Sequence, residues 1–295
     1  MKDSHRSAIL FLLPSFAIVA AFAILPIIDS FRVSFYRLIL TLPWLGQKSV
    51  GWENYLDLWR DPVARDSLRT TMLFAGVTIP LELLLGLGMA LVLNESFRGR
   101  GLLRTVVLVP WAIPTVVSAQ MWRFIFNDQY GLVNFALFGA DTTRYFAPLA
   151  DPHYALLAIM AAEIWKTTPF TALILLAGLQ GISDDLYEAA TVDGATQWQK
   201  FWRLTLPLLR PALLLALLFR TIDALRVFDL VFVMTQGGPA DSTNVLQFYG
   251  YKKSFAEGMI GYGSAIAVTV FLLSVVLSVA YLRLLNVNQR ARASR

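Results

Sequence analysis

Seven ionisable side chains lie well inside otherwise apolar stretches of this 295-residue chain, away from the ends of those stretches: Glu82, Glu163, Lys166, Arg220, Asp223, Arg226 and Asp229. In a membrane such charges are costly, and they face either one another or a water-filled path. Their chemistry is therefore of two kinds: fixed ion pairs, or a polar lining that exchanges hydrogen bonds with a solute or relays ions. Glu163 and Lys166, three residues apart, are within reach on one helix. They read either as a self-neutralising pair or as part of a substrate path, with Trp165, Thr167 and Thr168 as neighbours. Pro169 frees a helical carbonyl that Thr167 or Thr168 is placed to satisfy. Arg220, Asp223, Arg226 and Asp229 recur every third residue. At about 100° per residue each step falls about 60° short of a turn, so on one unbroken helix the ladder winds half way round. Arg220 and Asp229 then point in opposite directions, and a structural ion-pair network is expected for most of the four. Glu82, the one carboxylate of its stretch, is either paired across helices or near a cytoplasmic mouth.

Hydrolytic and redox chemistry find little support. The chain has no cysteine, and its only histidines are His5 and His153. Thiol catalysis and Cys-ligated metal are excluded, and imidazole-based metal or triad sites are poorly supported. No Gly-Lys-Ser or Gly-Lys-Thr triplet occurs, so no Walker-type nucleotide site is expected. A membrane-embedded enzyme acting on lipid or glycan needs a convergent nucleophile, base or metal set, and none is visible.

A second constellation spans 183–206. Ser183 is placed to cap a short helix, with Asp184 and Asp185 in the first turn where the dipole favours them. Glu188-Ala189-Ala190 sets a carboxylate beside two small residues that another surface can approach closely. Gly194, after Asp193, supplies the left-handed residue that ends the helix. Thr196-Gln197-Trp198-Gln199 reads as a capping box opening a second short helix, which Pro207 limits. This loop is built to dock against another protein.

The elements that must position both sets are long and apolar. The chain is 57% hydrophobic and only 15% charged, too little polar surface for a soluble domain of this length. An all-α polytopic membrane protein with six transmembrane helices in a single domain is expected. The blocks run over about 7–28, 68–94, 102–126, 154–181, 208–234 and 259–282. The first is charge-free and long enough for one crossing. A cleaved signal peptide is the alternative there: Lys2 and Arg6 precede the run, although the cleavage-like Ala21-Phe22-Ala23 lies inside it. Pro110 and Pro114 predict a kink in the third block. Gln236-Gly237-Gly238-Pro239 ends the fifth, and Asp128-Gln129-Tyr130-Gly131 is a turn after the third.

Basic residues give the orientation. Lys2, Arg6, Arg98, Arg100, Arg104, Lys200, Arg203, Arg210, Arg283, Arg290, Arg292 and Arg295 share one side over six crossings, which the positive-inside rule makes cytoplasmic. Both termini and the 183–206 loop are then inside. The long segment 29–67, with Arg32, Arg37, Lys48, Arg60 and Arg65, is the exception, with an interfacial or extracytoplasmic helix from Trp52 onward. The net charge of +5 follows from topology rather than nucleic-acid binding. Trp44, Trp52, Trp59, Trp122 and Tyr262 are candidates for interfacial positions.

Glu188-Ala189-Ala190, Gly194 and Leu204-Thr205-Leu206-Pro207, in this order and spacing, resemble the EAA loop of permease subunits in binding-protein-dependent ABC importers. Leu204 departs mildly from the commoner isoleucine. The flanks narrow the resemblance to the carbohydrate branch, the maltose- and glycerol-phosphate-type permeases. They are Trp122 through Asn127, Glu163 through Phe170, Leu176 through Gln180, Phe228-Asp229, and Thr235 through Pro239. The similarity covers nearly the whole chain. It implies a non-enzymatic permease of the cytoplasmic membrane, importing a small carbohydrate such as trehalose or maltose by alternating access. The implied partners are a second homologous permease, two ATPase subunits that use ATP and Mg, and an extracytoplasmic carbohydrate-binding protein. No cofactor is implied for this chain. Carried over, Asp185, Glu188, Ala189, Ala190, Asp193 and Gly194 are the ATPase-coupling residues. Candidate substrate-path residues are Glu163, Lys166, Thr167, Thr168, Arg220, Asp223, Arg226 and Asp229. Half of an ion-coupled secondary transporter, working through Glu163 or Asp223, is the alternative.

Overall fold

Long apolar runs with few breakers give long helices. A computed structural model describes residues 2–293, and the side chains of 11–44 and 46–283. The side chains of His5, Lys2 and Arg6, and those of Arg290, Arg292 and Arg295 used in the orientation argument, lie outside the described residues. The chain divides into two compact units, 1–65 with 249–272, and 66–248 with 273–295.

In the first unit α1 (Lys2–Val19) continues through a π turn at Ala20–Ile24 into α2 (Leu25–Ser34). The wide turn falls just before Pro26, whose ring removes one helical donor. A two-residue ribbon follows, β1 (Tyr36–Arg37) antiparallel to β2 (Lys48–Ser49), with Tyr36 opposite Ser49. It leads to α3 (Glu53–Arg60), which begins directly after Trp52. Buried Asn54 donates to the carbonyls of Ser34 at 2.7 Å and Tyr36 at 3.0 Å, pinning α3 to the ribbon.

Asp61, just after α3, accepts hydrogen bonds from the buried hydroxyls of Tyr249 and, at 2.8 Å, Tyr262. Burial acts to raise the Asp61 carboxyl, but these bonds and the Val63 and Ala64 amides outweigh it and hold it below the usual value of 3.8. A depressed carboxyl contributes stability that is complete above its ordinary value and lost as pH falls through the lowered one. Asp61→Asn is therefore expected to lower the melting temperature at neutral pH, at a cost of about 1–3 kcal/mol. In thermal melts of the detergent-purified protein, the gap to wild type should narrow as the pH drops below 3.8.

The second unit holds most of α4 (Pro62–Asn94), then α5 (Arg100–Ala112), α6 (Thr115–Ile125), α7 (Leu132–Phe138), α8 (Ala155–Gln180), α9 (Asp184–Val192), α10 (Gln197–Lys200), α11 (Leu206–Leu225), α12 (Asp229–Met234) and the start of α13 (Leu246–Tyr251). The last helix is α14 (Ile260–Ala293). Four helices among the described residues are long and apolar enough to cross a membrane: Phe11–Ser34, Pro62–Asn94, Ala155–Gln180 and Ile260–Arg283.

Two of the expected spans are broken. The kink predicted in the third block is a 90° turn between α5 and α6, with Ile113 extended and Pro114 at the N-cap. The fifth block is interrupted after Leu225, and α12 restarts at Asp229. No proline or glycine marks that second break. Val227, Leu230 and Val231 are buried with Phe74, Ile79 and Ile159, so tertiary packing overrides helix propensity there. Below this cluster a second one joins Ala90 and Leu93 of α4, Leu175 and Leu179 of α8, and Leu209 and Ala216 of α11. A Cβ at Gly178 would lie 2.4 Å from the Ala212 Cβ, so α8 and α11 touch there through small residues.

The Gln236–Pro239 run ends α12 as its residues predict, with Gln236 and Gly237 at φ +53° and +84°. Trp44, Trp52 and Trp59 are exposed, as interfacial rings would be. Trp122 and Tyr262 are not. Trp122 packs between Phe126 and Trp165, and Tyr262 is buried on Asp61.

Candidate transport cavity and coupling loop

The two broken helices face one cavity of about 600 Å³. One wall is the α5–α6 turn, with Trp111, Ile113 and Pro114; the opposite wall is the α11–α12 break, with Arg226, Phe228 and Asp229. Between them α8 contributes Glu163, Lys166 and Thr167, and α11 contributes Arg220 and Asp223. Irregular backbone at membrane depth is tolerated where it lines such a space.

Lys166 extends to the first break, donating to the Ile113 carbonyl at 2.6 Å. It forms no ion pair with Glu163, so the expected self-neutralising pair is replaced by two separate arrangements. The proline-rich turn leaves carbonyls without helical donors, and an ammonium serves them well. Glu163 instead accepts from Arg220 Nη2 at 2.7 Å. Glu82 is paired across helices: Arg220 Nε lies 2.6 Å from its Oε2 and Nη2 lies 3.2 Å from its Oε1. The same guanidinium reaches Asp223 through Nη1 at 3.1 Å. Arg220 is 2% exposed and Glu82 fully buried, whereas Asp223 opens to the cavity. The Thr167 hydroxyl lies 2.7 Å from the Glu163 carbonyl and 2.9 Å from Glu82 Oε1, tying α8 to α4.

The ladder needs a second correction. Arg220, Asp223, Arg226 and Asp229 do not wind round one helix; the break after Leu225 resets the direction, and all four line the same cavity. Among the described residues, Arg226 and Asp229 belong to no ion pair, and both are exposed to the space. Thr168 is buried, returns its hydroxyl to the Ile164 carbonyl at 2.6 Å and does not line the cavity. Sequence reasoning missed Trp111, which stacks on Phe170 with centroids 5.4 Å apart, and the Ile113 carbonyl. The proline pair around them was the available signal.

At the far end of α8 and α11 the 183–206 loop is braced within itself. Ser183 Oγ accepts from the Asp185 amide at 3.3 Å, and Asp184 and Asp185 occupy the first turn of α9. Gly194 takes φ +78°, and the Ala195 amide closes back on the Ala190 carbonyl at 2.9 Å. Thr196 and Gln199 form the capping box of α10. Lys200 Nζ donates to Thr191 Oγ1 at 2.6 Å, and the Tyr187 and Thr205 hydroxyls are 3.0 Å apart. Pro207 does not end the second helix. It sits in the first turn of α11, and a π turn at Phe201–Thr205 carries α10 into α11 without a stop. Asp185, Glu188, Ala189, Asp193 and Gly194 are exposed and Ala190 is half-buried. So are large apolar side chains: Val192 is 89% and Trp198 70% exposed. Capped and cross-braced, the loop presents these apolar side chains beside exposed carboxylates.

A family model described as "Binding-protein-dependent transport system inner membrane component" matches residues 82–288, a range that holds every candidate residue of the cavity and the loop. The chain is 43% identical over 276 residues to the trehalose/maltose transport system permease protein of Thermococcus litoralis, covering 93% of this chain and 92% of that one. It is 39% identical over 281 residues to the sulfoquinovosyl glycerol transport system permease protein of Agrobacterium fabrum, covering 95% and 90%. The crystal structure of a bacterial ABC transporter involved in import of the acidic polysaccharide alginate contains a chain that superposes with a TM-score of 0.82 over 98% of both chains. At 23% identity that likeness shows the fold.

Proposed function

The chain belongs to the family of binding-protein-dependent transport system inner membrane components, and from that premise we propose that it imports a small carbohydrate as one permease of an ATP-driven transporter. The observation that carries this reading is the cavity. Lys166 and Arg226 offer donors, Asp223 and Asp229 offer acceptors, and Trp111 and Phe228 offer rings. Such a mixture suits a polyhydroxylated solute, which exchanges many hydrogen bonds and stacks its apolar face on aromatics. The names of the relatives point the same way, and a disaccharide of the trehalose or maltose kind is the first candidate.

The chain would cross the cytoplasmic membrane six times as a single transmembrane domain, with both termini inside. The four long helices would supply four crossings and the bent pair α5–α6 the third, with α11 and α12 together making the fifth. Its partners would be a second permease, two ATPase subunits that bind ATP and Mg, and an extracytoplasmic carbohydrate-binding protein. This chain would bind no cofactor and perform no hydrolysis. Asp185, Glu188, Ala189, Ala190, Asp193 and Gly194 would couple the loop to an ATPase, with the exposed Val192 in the contact.

Because the chain has no cysteine, Val192→Cys introduces a unique label site. A maleimide photo-crosslinker there should capture an ATPase subunit in the assembled complex, and an impermeant maleimide added outside intact cells should leave the site unlabelled. Labelling from outside would remove the coupling assignment.

A further inference from the structure

One guanidinium ties together the two helices that enter and leave the loop. α8 runs into the loop and α11 runs out of it. At helical rise, Arg220 stands about 21 Å from the loop end of α11 and Glu163 about 26 Å from the loop end of α8. Their 2.7 Å ion pair therefore joins the two helices at the level of the cavity. The fork to Glu82, at 2.6 and 3.2 Å, adds α4 to the same knot.

We propose that Arg220 is a positioning residue that makes α4, α8 and α11 turn as one body, so that loop displacement reaches the cavity wall. The inference rests on the coupling role proposed for the loop. Three observations support it. First, the helices are also joined nearer the loop, where Gly178 meets Ala212 and where a Cβ at Gly86 would lie 2.7 Å from Thr171 Cγ2. A single contact lets two helices pivot; contacts at two heights fix their relative rotation. Second, a buried ion cluster is a weak source of stability, because a well-packed apolar set of similar volume often serves as well. What the charges add is direction: a planar fork holding two carboxylates from two other helices admits little sliding or rotation. Third, the same guanidinium holds Asp223, which opens to the cavity. A solute hydroxyl that donates to Asp223 competes with Nη1 for that carboxylate, so occupancy and helix alignment meet at one group.

The test uses the full complex in proteoliposomes, with partner permease, ATPase subunits and binding protein, and trehalose or maltose as the sugar. Its readout is the number of ATP molecules hydrolysed per sugar moved. The triple variant Glu82→Leu/Glu163→Met/Arg220→Met removes the knot while keeping an apolar fill. It should still co-purify with the ATPase, but transport should fall more than tenfold and the ATP-to-sugar ratio should rise by a similar factor. Excess sugar-loaded binding protein should not restore the ratio, as it would if Arg220 merely contacted sugar. Arg220→Lys, which keeps the charge but loses the fork, should raise the ratio at least threefold. If the triple variant fails to assemble, Arg220→Lys decides. A ratio within twofold of wild type in either assembled variant, or its recovery with excess substrate, overturns the proposal. Absence of sugar-stimulated hydrolysis in the wild-type complex would instead remove the transport reading on which it rests.

Discussion

Glu188→Lys is expected to abolish the stimulation of ATP hydrolysis by sugar-loaded binding protein and to reduce uptake to the background of the assay. Glu188 is exposed on α9, beside Ala189, and among the described residues it forms no ion pair within its own chain. Its replacement should leave this subunit folded, since exposed substitutions away from caps and cores rarely exceed about 0.5 kcal/mol. At a docked surface the effect is different in kind. Reversing a charge that becomes buried against a partner costs about 2–5 kcal/mol, enough to separate the loop from its socket. Gly194→Pro should produce the same loss by another route. The residue holds φ +78°, whereas proline is fixed near about −65°. Co-purification of the ATPase, with uptake measured in parallel, checks both. Normal stimulation in either variant would remove the coupling assignment.

Arg220→Ala carries the second large effect, on stability. Two carboxylates, Glu82 and Glu163, lose their shared cation in a site where Arg220 itself is 2% exposed. Breaking a buried pair by deleting one partner costs about 3–5 kcal/mol, because the remaining charge is left without compensation. The expected result is a sharp fall in yield and in the melting temperature of the complex. The apolar triple replacement of the same cluster should be far milder, since it leaves no buried charge unpaired and Asp223 is open to solvent. Equal melting temperatures for Arg220→Ala and wild type would show that the cluster is not closed as described.

The long elements and the loop were legible because their signals are local. Apolar runs announce helices, Ser183 and Thr196 announce caps, and Gly194 announces the left-handed end of α9. The cavity was only half legible. Its charged residues stood out against apolar surroundings, but their grouping depended on two breaks of different visibility. Pro110 and Pro114 gave notice of the first, though not of its 90° angle. The second, after Leu225, has no breaker in the sequence and arises from burial of Val227, Leu230 and Val231 in a core shared with α4 and α8. The sequence therefore predicts an uninterrupted helix, which places Arg220 and Asp229 on opposite faces. The partners of Arg220 were hidden for a related reason: Glu82 and Glu163 lie 138 and 57 residues away along the chain. Periodicity within one helix carries no information about such pairs. Pro207 misled in the other direction. A proline read as a stop is also at home in a first turn, and here a π turn leads into it.

The measurement closest to the central claim is uptake of radiolabelled trehalose or maltose into proteoliposomes that hold this subunit, its partner permease and the ATPase, with binding protein on the outside. With ATP and Mg enclosed, uptake should proceed against the sugar gradient without any ion gradient, and hydrolysis should rise when sugar-loaded binding protein is added. Uptake that continues without nucleotide and collapses with a proton or sodium ionophore would contradict the account.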